Sequence, residues 1–267
     1  MSTMAALATL SRRRFALSAR TPREIIVPLL TPILFALVIA PALRDSFGGF
    51  HSPIDYLSFV AIGTVGLLVP LSTMFAGLGV IVDRENGAQR ELLAAPIPRP
   101  LLVIGNLTVA LAVATLQLAA LFVAALLRGA DFRSDVGGVA WFVGAILVFS
   151  IAMYGMAEIL ASRVHSAEEY VGAVPAIAIV PWFFAGALFP ISALPGALTV
   201  VAKFFPLTHA LAVMRYGLVD HQGTGLNAIW NMSNPTLEAF LSLAVVLVFA
   251  VGITAVSIRA FARRAVH

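Results

Sequence analysis

Six apolar runs, at 25–43, 57–82, 101–127, 139–160, 171–189 and 237–258, constrain this chain more than any other feature of it. Each is long enough to cross a bilayer core, which takes about 20 helical residues. None has a charge in its middle, where insertion costs on the order of 2.5–3.5 kcal/mol per charged side chain. Glu24, Asp83 and Arg128 fall at edges, and only Glu158 lies inside a run, near its end. An intramembrane carboxylate is a functional candidate by default, but Arg163 is within reach, and the spacing favours an ion pair between them. Composition agrees: 60% of the residues are apolar and 11% charged, against roughly 45–50% and about 25% in soluble domains. With a mean hydropathy of +0.98, the surface must be lipid-facing.

A seventh apolar stretch, 191–211, differs in kind, because it carries Pro195, Lys203, Pro206 and His209 and follows the Phe189-Pro190 break. Proline cannot donate a backbone hydrogen bond and disrupts a helix interior by about 3 kcal/mol. Pro190, Pro195 and Pro206 therefore mark a helix end followed by short half-helices, which membrane depth tolerates only where protein or a water-filled cavity covers them. A re-entrant helical element before the last span is expected, with the alternative that the prolines merely shape a turn. Charge distribution gives the same count. Six spans with the amino terminus inside put twelve basic residues (Arg12, Arg13, Arg14, Arg20, Arg23, Arg84, Arg90, Arg99, Arg163, Arg259, Arg263 and Arg264) on the cytoplasmic side and five (Arg44, Arg128, Arg133, Lys203 and Arg215) outside. That is a positive-inside bias, and a seventh span would invert the carboxy-terminal arginines.

The expected fold is therefore an all-α integral membrane protein of about six transmembrane helices, forming one transmembrane domain over 1–267. Residues 1–24 are expected to lie in the cytoplasmic interface as an amphipathic helix, with Met4, Leu7 and Phe15 on one side and Arg13 and Arg20 opposite; a frayed basic tail is the alternative. Residues 25–258 form the bundle, and 259–267 a cytoplasmic tail. No small-residue cleavage site closely follows the first span, so it is expected to remain in the protein. The net charge of +4 sits in short clusters between spans and reads as a topology signal, not as a nucleic-acid surface.

Several chemistries are missing. There is no cysteine, which excludes thiolate sites and disulfides. A phosphate loop of the form G-x-x-x-x-G-K-[ST] needs a lysine, and the only lysine is Lys203, in VVAKFFP. No H-E-x-x-H occurs; His51, His165, His209 and His221 are scattered over different loops, so no zinc site is expected. Asp131 and Asp135 stand near Arg133 and glycines in what reads as a solvated loop. The chain is expected to have no catalytic residues, to bind no metal and to carry no cofactor.

The most informative hydrophilic segment is 83–100, DRENGAQRELLAAPIPRP. It can form a short helix with Arg84, Glu85, Arg90 and Glu91 exposed and Leu92 and Leu93 on an apolar patch, the form of a docking surface for a soluble partner; an ordinary interfacial loop is the alternative. In the next cytoplasmic loop, Glu168 and Glu169 are available to a basic partner surface. The 83–100 segment resembles the loop of the ATP-binding-cassette type 2 permeases, through Arg84-Glu85, Gly87, Leu92-Leu93, Pro96, Arg99 and Gly105. Ala88 and Asn106 depart from that pattern, which commonly has threonine and lysine there. The stretch 180–218 is similar to a second signature of the family, matching at Phe184, Gly186, Phe189, Pro190, Leu194, Pro195, Pro206, Leu207, Thr208, His209 and Arg215.

The resemblance implies a permease that pairs with a second copy or a sister permease, and with separate ATPase subunits that use ATP and magnesium. It sits multi-pass in the plasma (inner) membrane, with both termini cytoplasmic and lipid around it. Export of an amphipathic drug, a lipid or a lipid-linked saccharide is implied, along a path lined by Phe35, Phe75, Trp182 and Phe183. The 83–100 loop would couple to the ATPase, and the element holding Phe184, Gly186, Phe189, Pro190, Pro195 and Pro206 would gate the outer mouth. The competing reading is an ion-coupled secondary transporter or channel. Such proteins bury ionisable groups near the midplane and break helices in both halves, features this sequence lacks.

Overall fold

The computed structural model describes residues 12, 30, 33–46, 54–87 and 99–264, with side chains at all of these except 44–46, 99–106 and 260–264. The expected interfacial helix at 1–24, apart from Arg12, and the Arg90, Glu91 and Leu92 part of the loop lie outside the described residues. A π-helical turn, Phe35–Ile39, runs into α1 (Ala40–Ser46). There follow α2 (Tyr56–Glu85), α3 (Arg99–Leu127), α4 (Val136–Arg163) and α5 (Ala167–Phe184). After a 3₁₀ turn at Ile191–Ala193 come α6 (Gly196–Ala202), α7 (Pro206–Leu218), α8 (Thr224–Trp230) and α9 (Pro235–Arg264). The described chain is all-helical, and α2, α3, α4, α5 and α9 are each long and apolar enough to span a membrane.

Capping side chains set the helix starts. Asp55 accepts from the Ser58 amide at 3.1 Å, Asp135 from Gly138 at 2.7 Å, Ser166 from Glu169 at 3.2 Å and Asn234 from Leu237 at 3.1 Å. Each satisfies an amide that the helix itself leaves without an acceptor. The fifth span stops at Phe184, five residues before the end of the run 171–189. Gly186 there adopts φ +77°, a left-handed conformation open to glycine, and the chain turns away.

Every residue of α2 from Tyr56 to Pro70 is buried, so this helix is the axis of its half of the bundle. It packs against α3, α4, α5 and α7, while α4 also packs against α7 and α9. Glycines permit these approaches: a Cβ on Gly63 would strike the Ala187 carbonyl, and one on Gly138 the carbonyl of Gly217. The buried residues fall into two cores. The larger surrounds the first half of α2, and a smaller one, formed by Met74, Ile81, Ala157, Ala161, Val164, Tyr170 and Val174, joins the second half of α2 to α4 and α5.

The path of α6 and α7 decides how many times the chain crosses. The two helices meet at 81°, which fits either a broken span or a re-entrant hairpin. Gly66, whose missing Cβ leaves space occupied by Leu207 and Leu211 of α7, is ten residues into α2, about 15 Å below Tyr56 at about 1.5 Å per residue. That is near the middle of a core about 30 Å thick. Further along α7, Arg215 reaches Phe59 and Gly186, and Gly217 meets Gly138 at the start of α4. α7 thus begins at mid-depth and returns to the end from which α5 emerged. The pair is re-entrant and adds no crossing, as the prolines and arginines of the sequence predict.

Candidate functional site

At the end of the bundle holding Arg84, α2 continues to Glu85 and stops at Asn86 and Gly87, whose φ of +73° closes the helix through a bond from its amide to the Arg84 carbonyl at 3.1 Å. Arg84 and Glu85 are therefore the last turn of the second span, not part of a separate loop helix. Arg84 is half-buried and Glu85 exposed. The Arg84 guanidinium donates to the carbonyls of Ala161 at 3.2 Å, Val164 at 3.0 Å and His165 at 3.3 Å, and the Glu85 carboxylate accepts from the Ala167 amide at 3.2 Å. Glu85 is exposed, as the sequence predicts, and it also caps the first turn of α5. Beside it Glu169 accepts from the His165 amide at 3.0 Å, and Glu168 is exposed. The structure thus joins the two segments expected to meet a partner.

Deeper on the same side, the Tyr170 hydroxyl donates to the Met74 carbonyl at 2.6 Å, in space left by Gly77. Glu158 accepts from the Tyr154 hydroxyl at 2.7 Å. The expected Glu158–Arg163 ion pair is not formed: both residues lie on α4, where positions five apart fall on different faces of the helix.

The opposite end is organised by Arg215. Its side chain, counted above among the outward charges, is buried to 6% exposure. The guanidinium donates to Gly186 at 2.8 Å, Ala187 at 3.0 Å and Phe59 at 3.2 Å, and lies 3.5 Å above the Phe59 ring. One side chain so ties α7 to α2 and to the loop after α5. The flat, forked guanidinium suits this, because its donors reach several carbonyls while its face stacks on an aromatic ring. Phe184 ends α5, Gly186 makes the turn, and Phe189 lies half-buried in the loop. Pro190 and Pro195 stand immediately before the 3₁₀ turn and α6, and Pro206 opens α7. Each proline occupies a helix start, where its missing amide costs nothing.

His209 is not in a loop but buried within α7, with Nε2 2.9 Å from the Lys203 carbonyl and Nδ1 3.2 Å from the Ser242 hydroxyl. A carbonyl can only accept, so Nε2 carries the proton and, in the neutral ring, Nδ1 accepts from Ser242. Trp230 donates to the same hydroxyl at 2.8 Å, which fastens the hairpin turn to α8 and α9. Of the aromatics expected to line a path, Phe35 and Trp182 are buried against each other, edge to face at 5.9 Å, and the Trp182 indole donates to the Gly63 carbonyl at 2.7 Å. They are packing residues; Phe75 and Phe183 are exposed. Asp131 pairs with Arg133 at 2.8 Å in an exposed loop, and Asp135 caps α4, as a solvated loop requires.

The residues that sequence reasoning missed are Tyr170, Asp220 and the structural use of Arg215. Asp220 holds the start of α8 through the amides of Thr224 at 3.0 Å and Gly225 at 2.8 Å. The readable signal was Arg215 itself, a lone cation inside the apolar stretch LAVMRYGL. The model of the family described as ABC-2 type transporter matches residues 5–219 of the chain. No curated protein matches it.

Proposed function

The chain belongs to the ABC-2 type transporter family, and from that membership we propose that it is the permease of an ATP-driven exporter whose ATP is hydrolysed by a separate cassette subunit. The observation that carries this reading is the polarity of the bundle. At one end the last turn of α2 is bonded to the α4–α5 turn; at the other a re-entrant helical pair is tied down by Arg215. The first is the form of a force-receiving face, the second of a plug.

In this reading the Arg84 end is cytoplasmic, both termini lie there, and the protein sits in the inner membrane. The loop after α2, with Arg90, Glu91 and Leu92, meets the cassette, together with Glu168 and Glu169, and ATP and magnesium stay on that partner. The turn after α5 and the α6–α7 hairpin, with Phe184, Gly186, Phe189, Pro190, Pro195 and Pro206, gate the outer mouth. A second copy or a sister permease completes the path, and the cargo is an amphipathic drug, a lipid or a lipid-linked saccharide. The test is purification with and without the cassette. The chain alone is expected to hydrolyse no ATP, since Lys203 is the only lysine and follows α6 outside any phosphate loop, whereas the complex hydrolyses it. Nucleotide hydrolysis by the isolated chain, free of contaminating ATPase, would sink the assignment.

A further inference from the structure

Arg84 and Glu85 are neighbours in sequence, yet they bond opposite kinds of backbone group. Arg84 donates to carbonyls at the end of α4 and just beyond it, and Glu85 accepts from the first amide of α5. The last carbonyls of a helix and the first amides of the next lack intrahelical partners. They are also the negative and positive ends of the two helix dipoles, so a cation on the former and an anion on the latter are both favourable. One dipeptide thus holds both limbs of the α4–α5 turn to the end of α2. About three turns deeper along α2, its Met74 carbonyl accepts from Tyr170 of α5. The small core between these points is drawn from α2, α4, α5 and the turn between the last two.

We propose that Arg84 and Glu85 are positioning residues that make the second half of α2 and the α4–α5 hairpin one rigid body. A displacement arriving through the segment after Glu85 then moves α4 and α5 with α2, and slides that body against α3. This rests on the permease reading.

Two measurements separate the clamp from the permease reading. The first uses the isolated full chain in nanodiscs. Arg84→Gln and Glu85→Gln are each expected to speed amide exchange across 165–170 by about tenfold, the consequence of losing charged hydrogen bonds to a helix end. Exchange there unchanged in both variants, with the rest of the map native, overturns the clamp whatever the partner does. The second uses the complex with its cassette, spin-labelled at engineered cysteines in a chain that has none of its own, the labelled chain being diluted with unlabelled chain. Val82, Leu116 and Gly172 are exposed. Between nucleotide-free and ATP-bound states the Val82–Gly172 distance is expected to stay constant. The Leu116–Gly172 distance is expected to shift by about 2 Å or more, the scale of helix shifts in switching proteins. In Arg84→Gln the Val82–Gly172 distance should begin to shift as well. A Val82–Gly172 change in the unmodified complex as large as that of Leu116–Gly172, or no change at Leu116–Gly172 while ATP is hydrolysed, overturns the rigid body and leaves the permease reading standing. A chain that binds no cassette overturns both.

Discussion

At the scale of single residues, burial decides which polar side chains matter. Arg215 makes three hydrogen bonds to backbone carbonyls from a site closed to solvent, and bonds to charged groups are worth about 1.5–3 kcal/mol each. Arg215→Met strands those acceptors, and a loss of about 3 kcal/mol or more is expected, read as a lower melting temperature in detergent. Arg215→Lys should recover little, since an ammonium is a point charge without the fork or the flat face. A wild-type melt for Arg215→Met would show that the carbonyls find other donors. Gly63→Ala offers an independent check, because its Cβ strikes the Ala187 carbonyl, backbone that Arg215 holds in place. Overpacking of this kind costs about 1–3 kcal/mol. Gly144→Ala, where a Cβ meets nothing within 4 Å, is the neutral control in the same melting experiment.

At the scale of elements, short helices depend on a few bonds that longer ones do not need. The seven-residue α8 is seated by Asp220, which bonds the Thr224 hydroxyl at 2.9 Å as well as the amides of its first turn. Isolated helices this short are unstable in water, so Asp220→Ala should unfold α8 while sparing the spans. The expected outcome is faster amide exchange confined to 220–231, with no loss at α2 or α4; exchange spreading into α4 would mean that Asp220 supports the bundle itself. Tyr170→Phe keeps the ring in the small core but leaves the Met74 carbonyl without its 2.6 Å donor. That carbonyl keeps its bond within α2, so the expected loss is that of one hydrogen bond, about 0.5–1.5 kcal/mol, and a melting temperature equal to wild type would rule out that dependence.

For the whole molecule, the described helices alternate between the two ends, so that α2 and α4 end where α5 begins, and α9 begins beside α7. The first apolar run, 25–43, lies largely outside the described residues; we propose that it adds a sixth crossing, which brings both termini to the Arg84 end. The proposed orientation places that end in the cytoplasm. Single cysteines near Arg13 and near Arg264 are then both expected to be shielded from an impermeant thiol reagent in intact cells. Labelling of either from outside would overturn the topology.

Much of this was legible in the amino-acid sequence, because a bilayer reduces the folding problem to length and charge. Runs of about 20 apolar residues must be helices, arginine placement orders them, and three prolines mark where helices begin. The ladder of spans and the re-entrant stretch follow from local pattern alone, and the two motifs of the family from their resemblance to it. Which partner each polar side chain takes did not, since that depends on residues far away in sequence. Glu85 finds Ala167, Arg215 finds Phe59 and Gly186, and Tyr170 finds Met74. Nor could the sequence separate Phe35 and Trp182, which bury against each other, from Phe183, which stays exposed. Apolar periodicity is nearly uniform around a membrane helix, so which face meets protein and which meets lipid is decided only when the helices pack.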